Sequence, residues 1–232
     1  MLHCENKDKL YNTNGRLFNE PMYCEGLHRP RLRGCLHAVM TFVQFIMWYY
    51  ILQVSHSALG TILASVYMAC DVFSYTMSTL LHCGNWEPVM ENFLLKLDHA
   101  GIFLMVAGNF IPIGILCLHN TGFYMLSAMW AGTIICLFRI FILHQTTWWE
   151  PLVIGCASFI SIVEMYNIMT PLAFWLTMSS YLMSLVGGLV FAWEYPDPWH
   201  DTFGFHEIMH VLTSLASVAV YVANYSVVKQ CS

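Results

Sequence analysis

The chain of 232 residues is 58% hydrophobic and only 10% charged, with a mean hydropathy of +0.58. Soluble domains carry about 25% charged residues, so this composition excludes a water-soluble globule and favours a polytopic membrane protein. The net charge of −5 and the few basic residues argue against nucleic acid as a partner.

The sequence predicts a short polar segment followed by one membrane domain. Residues 1–34 are expected to form a cytoplasmic N-terminal segment, and its mixed charges without a long apolar run predict no cleavable signal peptide. We therefore expect the first span to direct its own insertion. Residues 35–228 are expected to form the transmembrane domain.

Seven apolar runs in this domain predict an all-α bundle of seven transmembrane helices. Each run is near the length that crosses about 30 Å of hydrocarbon, and none shows the alternation of a strand. The fifth run is short and is interrupted by Gly155. The runs lie at 35–54, 57–82, 97–118, 123–143, 150–166, 170–191 and 205–227.

The distribution of Lys and Arg predicts the orientation of the bundle. Six basic residues precede the first span: Lys7, Lys9, Arg16, Arg29, Arg31 and Arg33. Lys96 falls in the second-to-third connection and Arg139 near the end of the fourth span, whereas Lys229 falls on the opposite side. The positive-inside bias places the N-terminus in the cytoplasm and, after seven crossings, the C-terminus outside.

Histidines at the ends of two predicted spans indicate a metal site. His206 and His210 lie four residues apart at the start of the last helix, so they share one helix face. His82 closes the second span and Asp98 opens the third, which places all four side chains near the cytoplasmic face. Three neutral imidazoles with one open position form the ligand set of a catalytic zinc site, although imidazole also suits copper, nickel and iron.

Asp98 and Ser78, which lie near these histidines, each have one interpretation as part of the metal site and one as a structural residue. Asp98 is a fourth ligand or an acceptor for the metal-bound water, or it is the N-cap of the third helix, and the two kinds of role are compatible. Ser78, one turn before His82, contacts either substrate or that water, or else a backbone carbonyl of its own helix. His99 points about 100° away from Asp98 and ranks below the three ligands. Six further histidines are interpreted as structural: His28, His37, His56, His119, His144 and His200.

Polar residues continue along the helices that carry the histidines. One stripe of the second helix contains Asp71, Tyr75, Ser78 and His82, and one stripe of the seventh contains His206, His210, Ser214, Ser217 and Tyr221. We interpret these stripes as the lining of a polar cavity towards mid-membrane, because a carboxylate such as Asp71 needs a partner there. Ordinary packing of small and hydroxyl residues between helices is the alternative. The sequence assigns no role to Glu164.

Four segments form an ordered set of motifs. They are HRPRLRGCLH from His28 to His37, Ser78-x-x-x-His82, LDHAGIFLMVAGNFIP from Leu97 to Pro112, and FGFHEIMH from Phe203 to His210. Together they resemble the hemolysin III and progestin/adipoQ receptor family of seven-helix membrane proteins, and are closer to its hemolysin III branch.

The resemblance covers roughly residues 24–228. It implies a cytoplasmic-side zinc held by His82, His206 and His210, with Asp98 beside it through water.

Four functions are compatible with these features. The first is a zinc-dependent hydrolase of a membrane lipid, such as a ceramide-like amide, with Asp98 and Ser78 as catalytic residues. The second is a receptor with structural zinc and a lipid or protein ligand, and the third is a cytolytic pore. The fourth is an intramembrane protease, because His206-Glu207-x-x-His210 fits H-E-x-x-H. Glu207, its base, points about 100° away from the histidine face.

Overall fold

The computed structural model of the protein describes residues 23–232. Within that range it contains no strand and has seven helices that are long and apolar enough to cross a membrane. They are α1 (Cys35–Gln53), α2 (Ala58–Cys83), α3 (Pro88–Cys117), α4 (Gly122–Leu143), α5 (Glu150–Ile168), α6 (Pro171–Trp193) and α7 (Phe205–Cys231). The predicted all-α bundle of seven spans is confirmed. The predicted features of residues 1–22, including Lys7, Lys9 and Arg16, lie outside the described residues.

The third helix begins at Pro88 rather than at residue 97, so the predicted break from Cys83 to Lys96 is too long. Proline at the first helical position has a preset φ and lacks an N–H that would be unpaired there anyway, which favours a start at this point. Glu91, which falls within the predicted connection, is buried, and its carboxylate accepts hydrogen bonds from the backbone N–H groups of Tyr23 and Cys24. Asp98 therefore lies ten residues inside α3, and its interpretation as an N-cap is wrong.

Three of the helices depart from regular α geometry near a polar or proline residue. A π-helical turn, Ile113–Cys117, ends α3 directly after Pro112, which cannot donate a backbone hydrogen bond. A second π-helical turn, Arg139–Leu143, ends α4. The predicted interruption of the fifth span is present as a 3-10 segment, Ala157–Ser161.

The outer surface of the bundle is apolar. Phe42, Phe123 and Val163 are each more than 70% exposed, whereas Tyr67 and Phe103 are buried between helices. A soluble protein rarely presents so much contiguous apolar surface, and a membrane-spanning bundle must do so. The exposed side chains therefore mark the surface that faces hydrocarbon.

Helix α7 closes the bundle, packing closely against α6 and also against α1 and α2. Midway along these helices Ser217 donates a hydrogen bond of 3.0 Å to Asp71 Oδ2 and accepts one of 2.9 Å from Gln44. All three side chains are buried. The polar stripes of α2 and α7 thus face each other, and Asp71 has the partner that a carboxylate at this depth needs.

Glu164 has a clear structural role. Its carboxylate accepts hydrogen bonds of 2.8–3.0 Å from the backbone N–H groups of His119, Asn120 and Thr121. These residues form the turn between α3 and α4. Glu164 on α5 therefore fastens this turn to the neighbouring helix.

The orientation of the bundle is a prediction to be tested with epitope tags at both ends of the chain. Because seven crossings place the ends on opposite sides, we expect an N-terminal tag to bind antibody only after permeabilisation. A C-terminal tag should bind antibody on intact cells or on the equivalent outer face of sealed vesicles. Both tags on one side would contradict the predicted topology.

Candidate metal centre

Three imidazoles meet at one end of the bundle, where α2 ends and α7 begins. One ligand nitrogen from each of His82, His206 and His210 lies within 4.8 Å of the other two. The ring centroids are 4.5 Å apart for His206 and His210, and 4.9 and 5.4 Å apart for the pairs that include His82. The fold brings together the three histidines that the sequence predicts as ligands, and this buried triad can hold a metal ion.

The Nε2 atoms of these three histidines are the atoms available to a metal. Each is buried and has no hydrogen-bond partner among residues 23–232. Buried polar atoms without partners are costly and rare, so three of them in one cluster call for a shared partner. A neutral imidazole nitrogen binds zinc at about 2.0–2.1 Å, and three such donors fit a zinc-like ion.

Local sequence places two of the ligands on one face of α7. The helix starts at Phe205, after Gly204, whose N–H donates a hydrogen bond of 2.8 Å to the Glu207 carboxylate. This capping interaction fixes the first turn. His206 and His210 then lie one turn apart, with both side chains towards the end of α2.

The Nδ1 atoms of two of the ligands, His82 and His210, lie within hydrogen-bond distance of neighbouring side chains. Nδ1 of His82 lies 2.8 Å from the Tyr23 hydroxyl, and Nδ1 of His210 lies 2.7 Å from Nε2 of His37. Such contacts fix the orientation of a ligating imidazole and its tautomer. Burial raises the pKa of Tyr23, an effect that the nearby Arg33 guanidinium partly offsets.

His37 and Tyr23 are contacts that the sequence reasoning missed. The sequence analysis places His37 among six structural histidines, yet its Nε2 atom contacts Nδ1 of the ligand His210. The available signal was its position in the first turn of α1, at the same predicted depth as the triad. For Tyr23 the sequence contained no comparable signal, because it precedes every predicted span.

The Asp98 carboxylate is close to the triad but does not replace one of its members. Its Oδ2 atom lies 3.9 Å from Nε2 of His82, a distance too long for a direct hydrogen bond. Ser78 is buried and its hydroxyl faces the Asp98 carboxylate, but it makes no hydrogen bond of normal length and angle with the described residues, its own helix backbone included. The interpretation of Ser78 as a partner of its own helix backbone is therefore wrong.

Two other predicted candidates point elsewhere. His99 Nδ1 lies 2.9 Å from the Leu95 carbonyl of its own helix, and His99 is not part of the triad. Glu207 is buried, caps α7 and forms an ion pair with Arg33. Its carboxylate is thus engaged away from the three Nε2 atoms.

An apolar groove of about 260 Å³ lies beside the centre, between the start of α1 and the start of α7. Its walls include Leu36, Val39 and Phe203, and both His37 and His210 contribute to its lining. Val39 is 59% exposed on the outer surface of the bundle. The groove therefore connects the membrane-facing surface with residues of the metal centre.

The seven-helix bundle and its buried histidine triad together define an integral membrane protein with a candidate metal centre at one end. Residues 25–221 match the family model described as Haemolysin-III related, and the chain belongs to this family.

Among curated proteins the chain is similar to Hemolysin-3 of Bacillus cereus. The two are 29% identical over an alignment of 147 residues, and the match covers 60% of this chain and 66% of the relative. The match thus spans slightly less than two thirds of the length of that relative.

Proposed function

We propose that the protein binds zinc through His82, His206 and His210 at the cytoplasmic face and hydrolyses an amide or ester bond of a membrane lipid. A ceramide-like amide is the proposed substrate class. The observation that carries this proposal is the convergence of three unpartnered Nε2 atoms with a carboxylate 3.9 Å from one of them.

Zinc is proposed because the donor set suits it. Three neutral imidazoles with a free position are the ligands of catalytic zinc sites, and the free position is where a substrate or water binds. When bound, a zinc ion supplies Lewis acidity that polarises a carbonyl group and makes water more acidic. The contacts of Tyr23 and His37 with the second nitrogens keep two of the imidazoles directed at the ion.

The residues of the chain then have separate roles in hydrolysis. Asp98 Oδ2 accepts a proton from the attacking water and later donates it to the leaving nitrogen or oxygen, so that acid and amine or alcohol are formed. Ser78, whose buried hydroxyl faces Asp98 without a hydrogen bond of normal length and angle, donates a hydrogen bond to the substrate carbonyl oxygen. A lipid suits this site because the apolar groove reaches His37 and His210 from the membrane-facing surface.

A cytolytic activity is the second candidate, since the Bacillus cereus relative is named Hemolysin-3. A receptor with structural zinc is the third. The intramembrane protease is not proposed, because Glu207 is engaged with Arg33 and with the cap of α7.

The proposal is tested on the protein purified in lipid nanodiscs. We expect about one zinc per chain by elemental analysis, and release of fatty acid from at least one member of a panel of ceramides, other lipid amides and lipid esters. His82→Ala is the matched control and should abolish both. Zinc without hydrolysis over the panel would favour the receptor, and leakage of dye from vesicles without hydrolysis would favour the cytolysin.

A further inference from the structure

Residues 23–34, which we call the strap, connect the two sides of the metal centre before α1 begins. At one end the backbone N–H groups of Tyr23 and Cys24 donate to the Glu91 carboxylate on α3. At the other end the N–H groups of Arg31 and Leu32 donate to carbonyls of the α6–α7 connection at 3.0 and 3.2 Å. The strap is therefore anchored to α3 at one end and to the α6–α7 connection at the other.

The ring of Tyr23 is held in position by Arg29, a basic residue of the strap. The Arg29 guanidinium lies 4.2 Å from the centroid of the Tyr23 ring and donates to Asn85 Oδ1 at 3.1 Å. A guanidinium over an aromatic face is attractive, and the Asn85 contact fixes its place. These contacts fix the position of the Tyr23 ring, and its hydroxyl then lies next to His82.

A chain of side-chain contacts runs from this hydroxyl across the centre. The Tyr23 oxygen lies 2.8 Å from His82 Nδ1 and accepts a hydrogen bond of 3.0 Å from Arg33 Nη1. Arg33 Nε donates to the Glu207 carboxylate, and the Arg33 and Glu207 side chains are only 9% and 5% exposed. Tyr23 and Arg33 thereby link the end of α2 to the first turn of α7.

We propose that Tyr23 is a positioning residue of the metal centre, fixed in turn by Arg33, and that it holds His82 at the correct place relative to His206 and His210. This inference rests on the proposed zinc site. When Nε2 of His82 binds the metal, Nδ1 carries the proton and needs an acceptor, and the Tyr23 oxygen is that acceptor. Arg33 uses two different N–H groups of its planar fork, one for Tyr23 and one for Glu207, which a lysine does not reproduce.

The test compares zinc affinities by chelator competition in the full-length protein. Tyr23→Phe keeps the ring over which Arg29 lies and removes only the hydroxyl, so we expect zinc to bind about 10–100-fold more weakly. The d–d absorption of the cobalt-substituted protein should also shift, because His82 is free to rotate. Tyr49→Phe, on the exposed surface of α1, is the matched control and should change neither quantity.

Two further variants make the outcome decisive. Arg33→Lys should weaken zinc binding in the wild-type background and weaken it less in the Tyr23→Phe background, because Arg33 acts in part through Tyr23. If Tyr23→Phe does not fold, Glu91→Gln serves as the second variant. It removes one acceptor for the backbone of Tyr23 and Cys24 without altering the centre, and it should still lower the affinity for zinc.

The two proposals fail in different ways. A wild-type protein that binds no zinc would overturn the proposed function. A wild-type protein that binds zinc, with unchanged affinity and cobalt spectrum in Tyr23→Phe or unchanged affinity in Glu91→Gln, would overturn only the role of Tyr23.

Discussion

Replacing His82, His206 or His210 by alanine, one at a time, is expected to weaken zinc binding by well over tenfold and to leave the purified protein with much less than one zinc per chain. Loss of contacts around a metal ligand already costs about 10–100-fold in affinity, and loss of the ligand itself should cost more. The three Nε2 atoms lie in one buried cluster, so each substitution leaves two of the three nitrogen ligands. Elemental analysis and chelator competition measure the effect.

His99→Ala is the matched control for these variants, because His99 is also a partly buried histidine near the centre. Its Nδ1 atom contacts the Leu95 carbonyl of its own helix. We expect this variant to keep its zinc. A protein that loses zinc with His99→Ala and retains it with His82→Ala would show that the ligand assignment is wrong.

Asp98→Asn is expected to keep zinc and to lose most of the lipid hydrolysis, by about 10²–10⁴-fold in turnover, the usual contribution of a general base. The amide has the size of the carboxylate and can still form a hydrogen bond, but it cannot accept the proton of water. Because Asp98 Oδ2 is 3.9 Å from His82 Nε2, the substitution should leave the three ligands in place. Fatty-acid release and zinc content are measured on the same preparation.

Asp201→Asn is the control for this substitution. Asp201 lies in the α6–α7 connection with 81% of its side chain exposed, and its carboxylate is paired with His28. We expect wild-type turnover from this variant. Undiminished hydrolysis by Asp98→Asn would contradict the proposed mechanism, whereas loss of zinc in that variant would make Asp98 a ligand rather than a base.

The sequence predicted the triad because its signals are local and additive. The spacing of His206 and His210 places them on one helix face in any straight helix. His82 falls at the end of a span, and counting spans gives the depth at which each end lies. Hydrocarbon outside the bundle leaves few places for a polar side chain, so depth alone brings such residues near one another.

The sequence misplaced the start of α3 for a physical reason. The polar and turn residues between Cys83 and Lys96 predict a connection between two apolar runs. Glu91 is instead buried against the backbone of the strap, and its two hydrogen bonds come from residues 68 and 67 positions away in the chain. Such a compensating contact is invisible to any local pattern.

Composition, span length and histidine spacing by themselves determined the class of this protein, its seven helices and the three candidate ligands, because hydrophobic burial and helix periodicity act over neighbouring residues. Only the tertiary structure decided what surrounds those ligands. The contacts of Tyr23 with His82, of His37 with His210 and of Arg33 with Glu207 join residues that are 59, 173 and 174 positions apart. Hydrogen bonds depend on the positions of single atoms, and those positions follow from how the helices and the strap pack rather than from the order of residues along the chain.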